Sequence, residues 1–121
     1  MAQNAGMTPC GDFGLNIANS IAASAYAQLG LSDITLSFEP PLAKLNAVNS
    51  PVPKGILAYG HLPLMLTRNC PVKNEIGCKQ CGRKSGITDR KGIFFPVRCT
   101  RQASEVLYSK PLYLADRLNE L

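Results

Sequence analysis

The run Asn19-Ser20-Ile21-Ala22-Ala23-Ser24-Ala25-Tyr26-Ala27-Gln28-Leu29-Gly30-Leu31-Ser32-Asp33-Ile34-Thr35-Leu36-Ser37-Phe38 decides the fold class. Its first half carries helix signals. Asn19 or Ser20 can accept a backbone N–H at the helix start, and Gly30 is placed to end it. Ile21, Ala22, Ala25, Tyr26 and Leu29 share one face at helical spacing, while Ser24 and Gln28 face the other way. Ser32 and Asp33 then turn into Ile34 to Phe38, which alternates with the period of a strand. Upstream, Leu15-Asn16-Ile17-Ala18-Asn19 alternates too and is expected to form a short strand. Strand, helix and strand so close together read as a βαβ unit with parallel strands, hence an α/β fold.

Working outward, Glu39-Pro40-Pro41 stops the strand, because neither proline can donate to a ladder. Residues 41–50 have room for one or two helical turns, and Pro51 and Pro53 mark a stiff connector. A third strand is expected at Ile56-Leu57-Ala58-Tyr59, broken by Gly60, with Leu62 to Leu66 continuing around a bend. From Asn69 the texture changes to Cys, Gly, Lys and Arg. Asp89-Arg90-Lys91-Gly92 reads as a tight turn, and Ile93 to Val97 returns as a strand, which predicts a hairpin. The end, Val106 to Leu118, is apolar except at Ser109-Lys110-Pro111 and is expected to include a last strand. This divides the chain into βα units over residues 1–67 and a Cys-rich segment with hairpin and C-terminal strand over 68–121. A complete βα barrel needs eight strands and about 250 residues. The chain has 121 residues, so the expectation is a partial, TIM-like βα barrel followed by a cysteine-rich loop and a β-hairpin.

Composition agrees with a folded domain: 45% of residues are hydrophobic and 17% charged. At this size the core is small, so a metal or a partner weighs heavily in stability. The net charge of +5 is unevenly spread. Residues 1–60 carry Lys44 and Lys54 against Asp12, Asp33 and Glu39, which leaves +6 for the remainder. Nine basic residues lie between Arg68 and Arg101, against only Glu75 and Asp89. Such a block attracts phosphates or acidic substrates, or is a solvated basic face, or surrounds a negatively charged metal–thiolate centre. No stretch approaches the roughly 20 apolar residues of a membrane span. Met1 to Gly11 has neither a basic n-region nor an apolar h-region, so no signal peptide is expected. Five cysteines without such a signal point to reduced thiols and a cytoplasmic location.

Four of those cysteines, Cys70, Cys78, Cys81 and Cys99, fall in the spacing C-x7-C-x2-C-x17-C. Two residues between Cys78 and Cys81 let both sulfurs turn toward one ion, and Gly82 lets the chain bend around it. Cys70 and Cys99 complete a tetrahedral sulfur set. Thiolates are soft, so such a set selects zinc or an iron–sulfur cluster over hard cations. Cys10 stands 60 residues upstream of Cys70 and reads as an ordinary small residue.

The run Tyr59-Gly60-His61-Leu62-Pro63-Leu64-Met65, followed by Asn69-Cys70-Pro71, resembles the signature of the collagenase-like peptidases, peptidase family U, number thirty-two. Further matches follow in order: Leu15-Asn16 with Asn19-Ser20, Leu36-Ser37 with Glu39, and Thr88-Asp89-Arg90-Lys91-Gly92. Phe95-Pro96-Val97 and Pro111-Leu112-Tyr113-Leu114 with Asp116-Arg117-Leu118 complete the set. Position 61 is His where the family more often has Arg, and cysteine spacing varies across the family, so that Cys99 matches its ligand pattern least closely. The resemblance implies an incomplete or distorted βα barrel, of which this chain is the later portion, partnered by a missing N-terminal part. It also implies a cysteine-ligated 4Fe–4S cluster on Cys70, Cys78, Cys81 and Cys99, with zinc as the alternative.

The activity so implied divides between hydroxylation of transfer or ribosomal RNA and breakdown of protein, including collagen. The residues add little for proteolysis. His61 is the one histidine; there is no H-E-x-x-H and no nucleophile elbow. The cysteine set and the basic block suit RNA better, and suit equally a zinc-stabilised nucleic-acid-binding module without catalysis. Barrel enzymes place their chemistry at the C-terminal ends of strands. That rule makes Glu39 a candidate general base and Asn16 a candidate for orienting substrate, with Asn19, Ser37 and Arg90 as candidate substrate contacts. The competing reading is that these polar residues cap the neighbouring helix and satisfy backbone groups.

Overall fold

A computed structural model describes residues 6–79, 81, 85–100 and 102–120. The chain is mixed α/β, with three α-helices and several short sheets among these residues, none of them closed into a barrel. It divides into two compact units, one made of residues up to Ala58 together with those from Leu114 onward, the other of Tyr59–Tyr113. Pro63–Thr67, counted with the first segment in sequence, lies in the second unit because it pairs with Ser104–Leu107.

The first unit holds the predicted parallel βαβ arrangement, repeated once. Strands β1 (Cys10–Gly11), β2 (Asp33–Thr35) and β3 (Lys54–Gly55) form a parallel sheet in that order. Helix α1 (Ser20–Gln28) joins the first pair and α2 (Leu42–Asn46) the second. The first strand is not at Leu15–Asn19. The Asp12 carboxylate accepts the Phe13 N–H at 2.7 Å, and the chain winds into a 3-10 turn over Phe13–Leu15. Asn16 follows in the left-handed region, φ 51°. Extended pairing is therefore confined to Cys10–Gly11. The third strand lies likewise earlier than Ile56, at Lys54–Gly55.

Helix α1 begins where its sequence says it should, with the Ala22 N–H donating to Asn19 Oδ1 at 2.9 Å. It ends in a Schellman motif. Gly30 at φ 90° lets its N–H reach the Ala27 carbonyl and the Leu31 N–H reach that of Tyr26. The buried face is rotated from the expected one. Ala23 is fully buried and Ala22 and Tyr26 pack beside it, whereas Ile21 and Leu29 are exposed. The small side chain of Ala23 is the one that fits against Ile17, Ile34, Leu36, Leu45 and Val48 in the core. Lys54 fastens α2: its Nζ donates to the carbonyls of Leu45, Asn46 and Val48 at 3.3, 3.0 and 2.6 Å. A cation at the last carbonyls of a helix also opposes the helix dipole.

The second unit is antiparallel throughout. Strands β5 (Pro63–Thr67), β6 (Gly86–Thr88), β7 (Phe94–Cys99) and β8 (Ser104–Leu107) form a sheet in the order β5-β8-β7-β6. A separate ribbon pairs β4 (Tyr59–Gly60) with β9 (Leu112–Tyr113), and α3 (Pro71–Ile76) connects β5 to β6. The predicted β6–β7 hairpin is present. Asp89 Oδ1 accepts the N–H groups of Lys91 and Ile93 at 2.8 and 2.9 Å, and Gly92 takes φ 77°. Gly86 faces Pro96 across this hairpin, and any Cβ there would run into the Phe94 ring and the Phe95 carbonyl. The core is slight: Val72, Val97 and Val106 are buried, with Cys70, Cys81, Ile87 and Phe95 packed against them.

Candidate metal centre

Cys70 is the N-cap residue of α3, with Pro71 in the first helical position. This places its sulfur against the free N–H groups that open the helix. Cys99 ends β7 and stands opposite Ser104 of β8 in the register of the sheet. The two sulfurs come together at 3.1 Å, and the Ser104 hydroxyl donates to Cys99 Sγ at 3.4 Å. The Cys99 hydrogen bond, seconded by the Lys73 backbone N–H and opposed by desolvation, lowers the Cys70 thiol from an ordinary 9.0 to about 7. At Cys99 the Ser104 hydroxyl favours the thiolate. The hydrogen bond from the pair, desolvation and the charges of Cys70 and Cys81 outweigh it and raise that thiol. Of the two, Cys70 is thus the more readily ionised, and Cys99 favours keeping its proton.

Cys78 and Cys81 follow α3. Gly77, at φ 74°, ends the helix, and the Cys81 N–H donates to its carbonyl at 3.2 Å. Cys78 is exposed and Cys81 half-buried. All four cysteines line one pocket of about 460 Å³, with Arg68, Lys73 and Ser104 also on its wall. A tetrahedral zinc site with Zn–S near 2.3 Å sets its sulfurs about 3.8 Å apart. At 3.1 Å, Cys70 and Cys99 are closer than that and would part slightly to take an ion between them. Among the described residues no group of three or more His, Cys, Asp or Glu is drawn together as ligands. The donor chemistry fits a soft metal, and Cys78 and Cys81 stand around the same pocket without closing on the pair.

The other residues singled out in the sequence lie elsewhere. Asn16, Asn19, Ser37 and Glu39 belong to the first unit. Ser37 is buried, donates to Asn16 Oδ1 at 2.5 Å and accepts the Glu39 N–H at 3.3 Å. These three residues follow the C-terminal ends of β1 and β2, and the Glu39 side chain is exposed. Asn19 serves as the cap of α1. Arg90 is exposed in the hairpin turn of the second unit. Cys10 Sγ is 3.7 Å from Ser32 Oγ, in the first unit. The exposed His61 is hydrogen-bonded through Nδ1 to the Tyr108 carbonyl at 2.7 Å.

Sequence reasoning missed Ser104, Arg68 and Lys73 as members of the cysteine pocket. Ser104 was discoverable only through the β7–β8 register. Lys73 follows from Cys70 as an N-cap, since three residues along a helix returns to the same side. Comparison of the chain with protein-family models, with curated proteins and with solved structures returned no match. No helix among the described residues is long and apolar enough to cross a membrane.

Proposed function

We propose that this chain is the later part of a βα-barrel enzyme of the collagenase-like peptidase kind, carrying a four-cysteine metal centre and acting in hydroxylation of transfer or ribosomal RNA. The observation that carries this reading is the presence of Cys70, Cys78, Cys81 and Cys99 on one pocket wall. The small core of the second unit supports it, since three buried valines offer little hydrophobic stabilisation and a metal would supply the remainder. Cys70, Cys78, Cys81 and Cys99 would hold a 4Fe–4S cluster, whose chemistry when bound is one-electron transfer. The spacing of Cys70 and Cys99 favours a second reading, a single zinc ion clamping a nucleic-acid-binding module. The nine basic residues around the cysteines suit RNA under either reading.

The first unit supports the barrel reading. Its sheet is parallel, with helices in the crossovers, and leaves an edge at β1 and another at β3 that adjoining barrel strands would cover. Asn16, Ser37 and Glu39 follow the C-terminal strand ends, where barrel enzymes keep substrate-binding and catalytic groups. In this reading Ser37 fixes the Asn16 amide, Asn19 contacts substrate, and Glu39 is the general base. Peptidase activity is the weaker alternative, because His61 is tied to a backbone carbonyl. The test is nucleoside analysis of RNA from cells that lack the protein, complemented with the full-length wild type or with Cys78→Ser. A hydroxylated nucleoside present with the wild type and absent with the variant is the expected result. An unchanged nucleoside profile, with gelatin hydrolysis by the purified protein, would overturn it in favour of the peptidase.

A further inference from the structure

We propose that the cysteine pocket is also a binding site for a small oxyanion, a phosphate- or carboxylate-bearing ligand held by Arg68 and Lys73. The pocket measures about 460 Å³, within the range of about 300–1,000 Å³ that small-molecule sites occupy. A lone ion held by four thiols takes only part of that space. Arg68 and Lys73 both line it, and no carboxylate does among the described residues.

Two other cations are already paired. Arg98 is committed to Glu105 across β7 and β8, and Arg117 to Glu120. Among the described side chains, Arg68 and Lys73 have no such carboxylate. Asn69, Asn74 and Gln102 line the same pocket, and their side-chain amides supply neutral donors. A guanidinium presents a planar fork to two oxygens of a phosphate or carboxylate, and an ammonium adds a point charge. With cations and thiols lining one pocket, a ligand can place its anionic end on Arg68 and Lys73. Its remaining part would then lie against the cysteines. This site does not depend on which metal the cysteines hold, or on the RNA reading.

The experiment is calorimetric titration of the full chain, carrying whatever metal it is purified with, with inorganic phosphate, adenosine 5′-monophosphate and malonate in turn. Tighter binding of the nucleotide than of phosphate assigns a nucleotide source, and tighter binding of malonate a carboxylate source. Arg68→Gln and Lys73→Gln are each expected to weaken the preferred anion about tenfold. Lys91→Gln and Lys110→Gln remove the same charge outside the pocket and should leave it within about twofold. Equal weakening by all four variants would reduce the effect to net charge and overturn the site, as would no measurable binding of any probe. Nuclear magnetic resonance shifts in the unsubstituted chain check the location without any variant. The preferred anion should move the amides of Asn69, Asn74 and Gln102, and movement confined to residues 89–92 would contradict the proposal.

Discussion

Cys70 Sγ lies 3.1 Å from Cys99 Sγ, although 28 residues separate them in the chain. One sulfur is delivered by the N-cap of α3, the other by the last residue of β7. The contact ties the loop-and-helix connection to the sheet beside the valine core. It also sets the two thiols to different tasks, because only one of them can be the acceptor at a time.

The pair should be visible in alkylation kinetics. Cys70 is an acid whose folded value, about 7, lies below the ordinary 9.0, so its thiolate is populated above pH 7 and lost as the pH falls through 7. On metal-free protein, the rate of Cys70 carbamidomethylation, followed by peptide mass spectrometry, should be half-maximal near pH 7. In Cys99→Ala the largest cause of the shift is gone, and the midpoint should move up. A wild-type midpoint near that of an ordinary thiol would show that the hydrogen bond does not form.

Loss of a ligand should be felt locally. Cys78→Ser or Cys81→Ser is expected to loosen residues 68–101 and leave the parallel βαβ unit nearly untouched. Limited proteolysis read by mass spectrometry distinguishes these regions. Protection of 68–101 equal to that of the wild type would count against a metal there.

Gly86→Ala tests the hairpin. A methyl group has no room between the Phe94 ring and the Phe95 carbonyl, so β6 must shift away from β7. Overpacking of this kind costs about 2 kcal/mol. Denaturant unfolding followed at the second unit should show that loss, and a stability equal to the wild type would mean that the strands separate freely.

At α1 the cap carries the prediction. Asn19→Ala removes the acceptor for the Ala22 N–H and should cost about 1 kcal/mol. Asn19→Ser should restore most of it. If Asn19 instead contacts substrate, Ser will restore stability without restoring activity, which separates the cap from the catalytic reading.

Much of this architecture could be read from residue patterns, and the failures have physical causes. Helix α1, its Asn19 cap, its Gly30 end and the parallel strands around it follow from local rules that tertiary contacts leave intact. The Asp89–Gly92 turn is legible for the same reason, since Asp89 supplies its own acceptor and Gly92 its own φ. Leu15–Asn19 misled because Asp12, just outside the alternating run, captures the Phe13 N–H and starts a 3-10 turn. The buried face of α1 was misjudged because size, not hydrophobicity, decides it: Ala23 fits where Ile21 does not. The spacing of Cys78 and Cys81 marked a thiol site. Their meeting with Cys70 and Cys99 on one pocket depends on sheet register and the cap of α3, which no local pattern contains.

The most direct test is the iron, zinc and acid-labile sulfide content of the full chain, purified without oxygen, together with its visible spectrum. A near-stoichiometric metal that is lost in Cys78→Ser is the expected result. Iron with sulfide and a visible charge-transfer band would identify the cluster, and zinc alone the structural clamp. A chain that carries neither metal, with Cys70, Cys78, Cys81 and Cys99 all free to react with iodoacetamide, would contradict the four-cysteine centre.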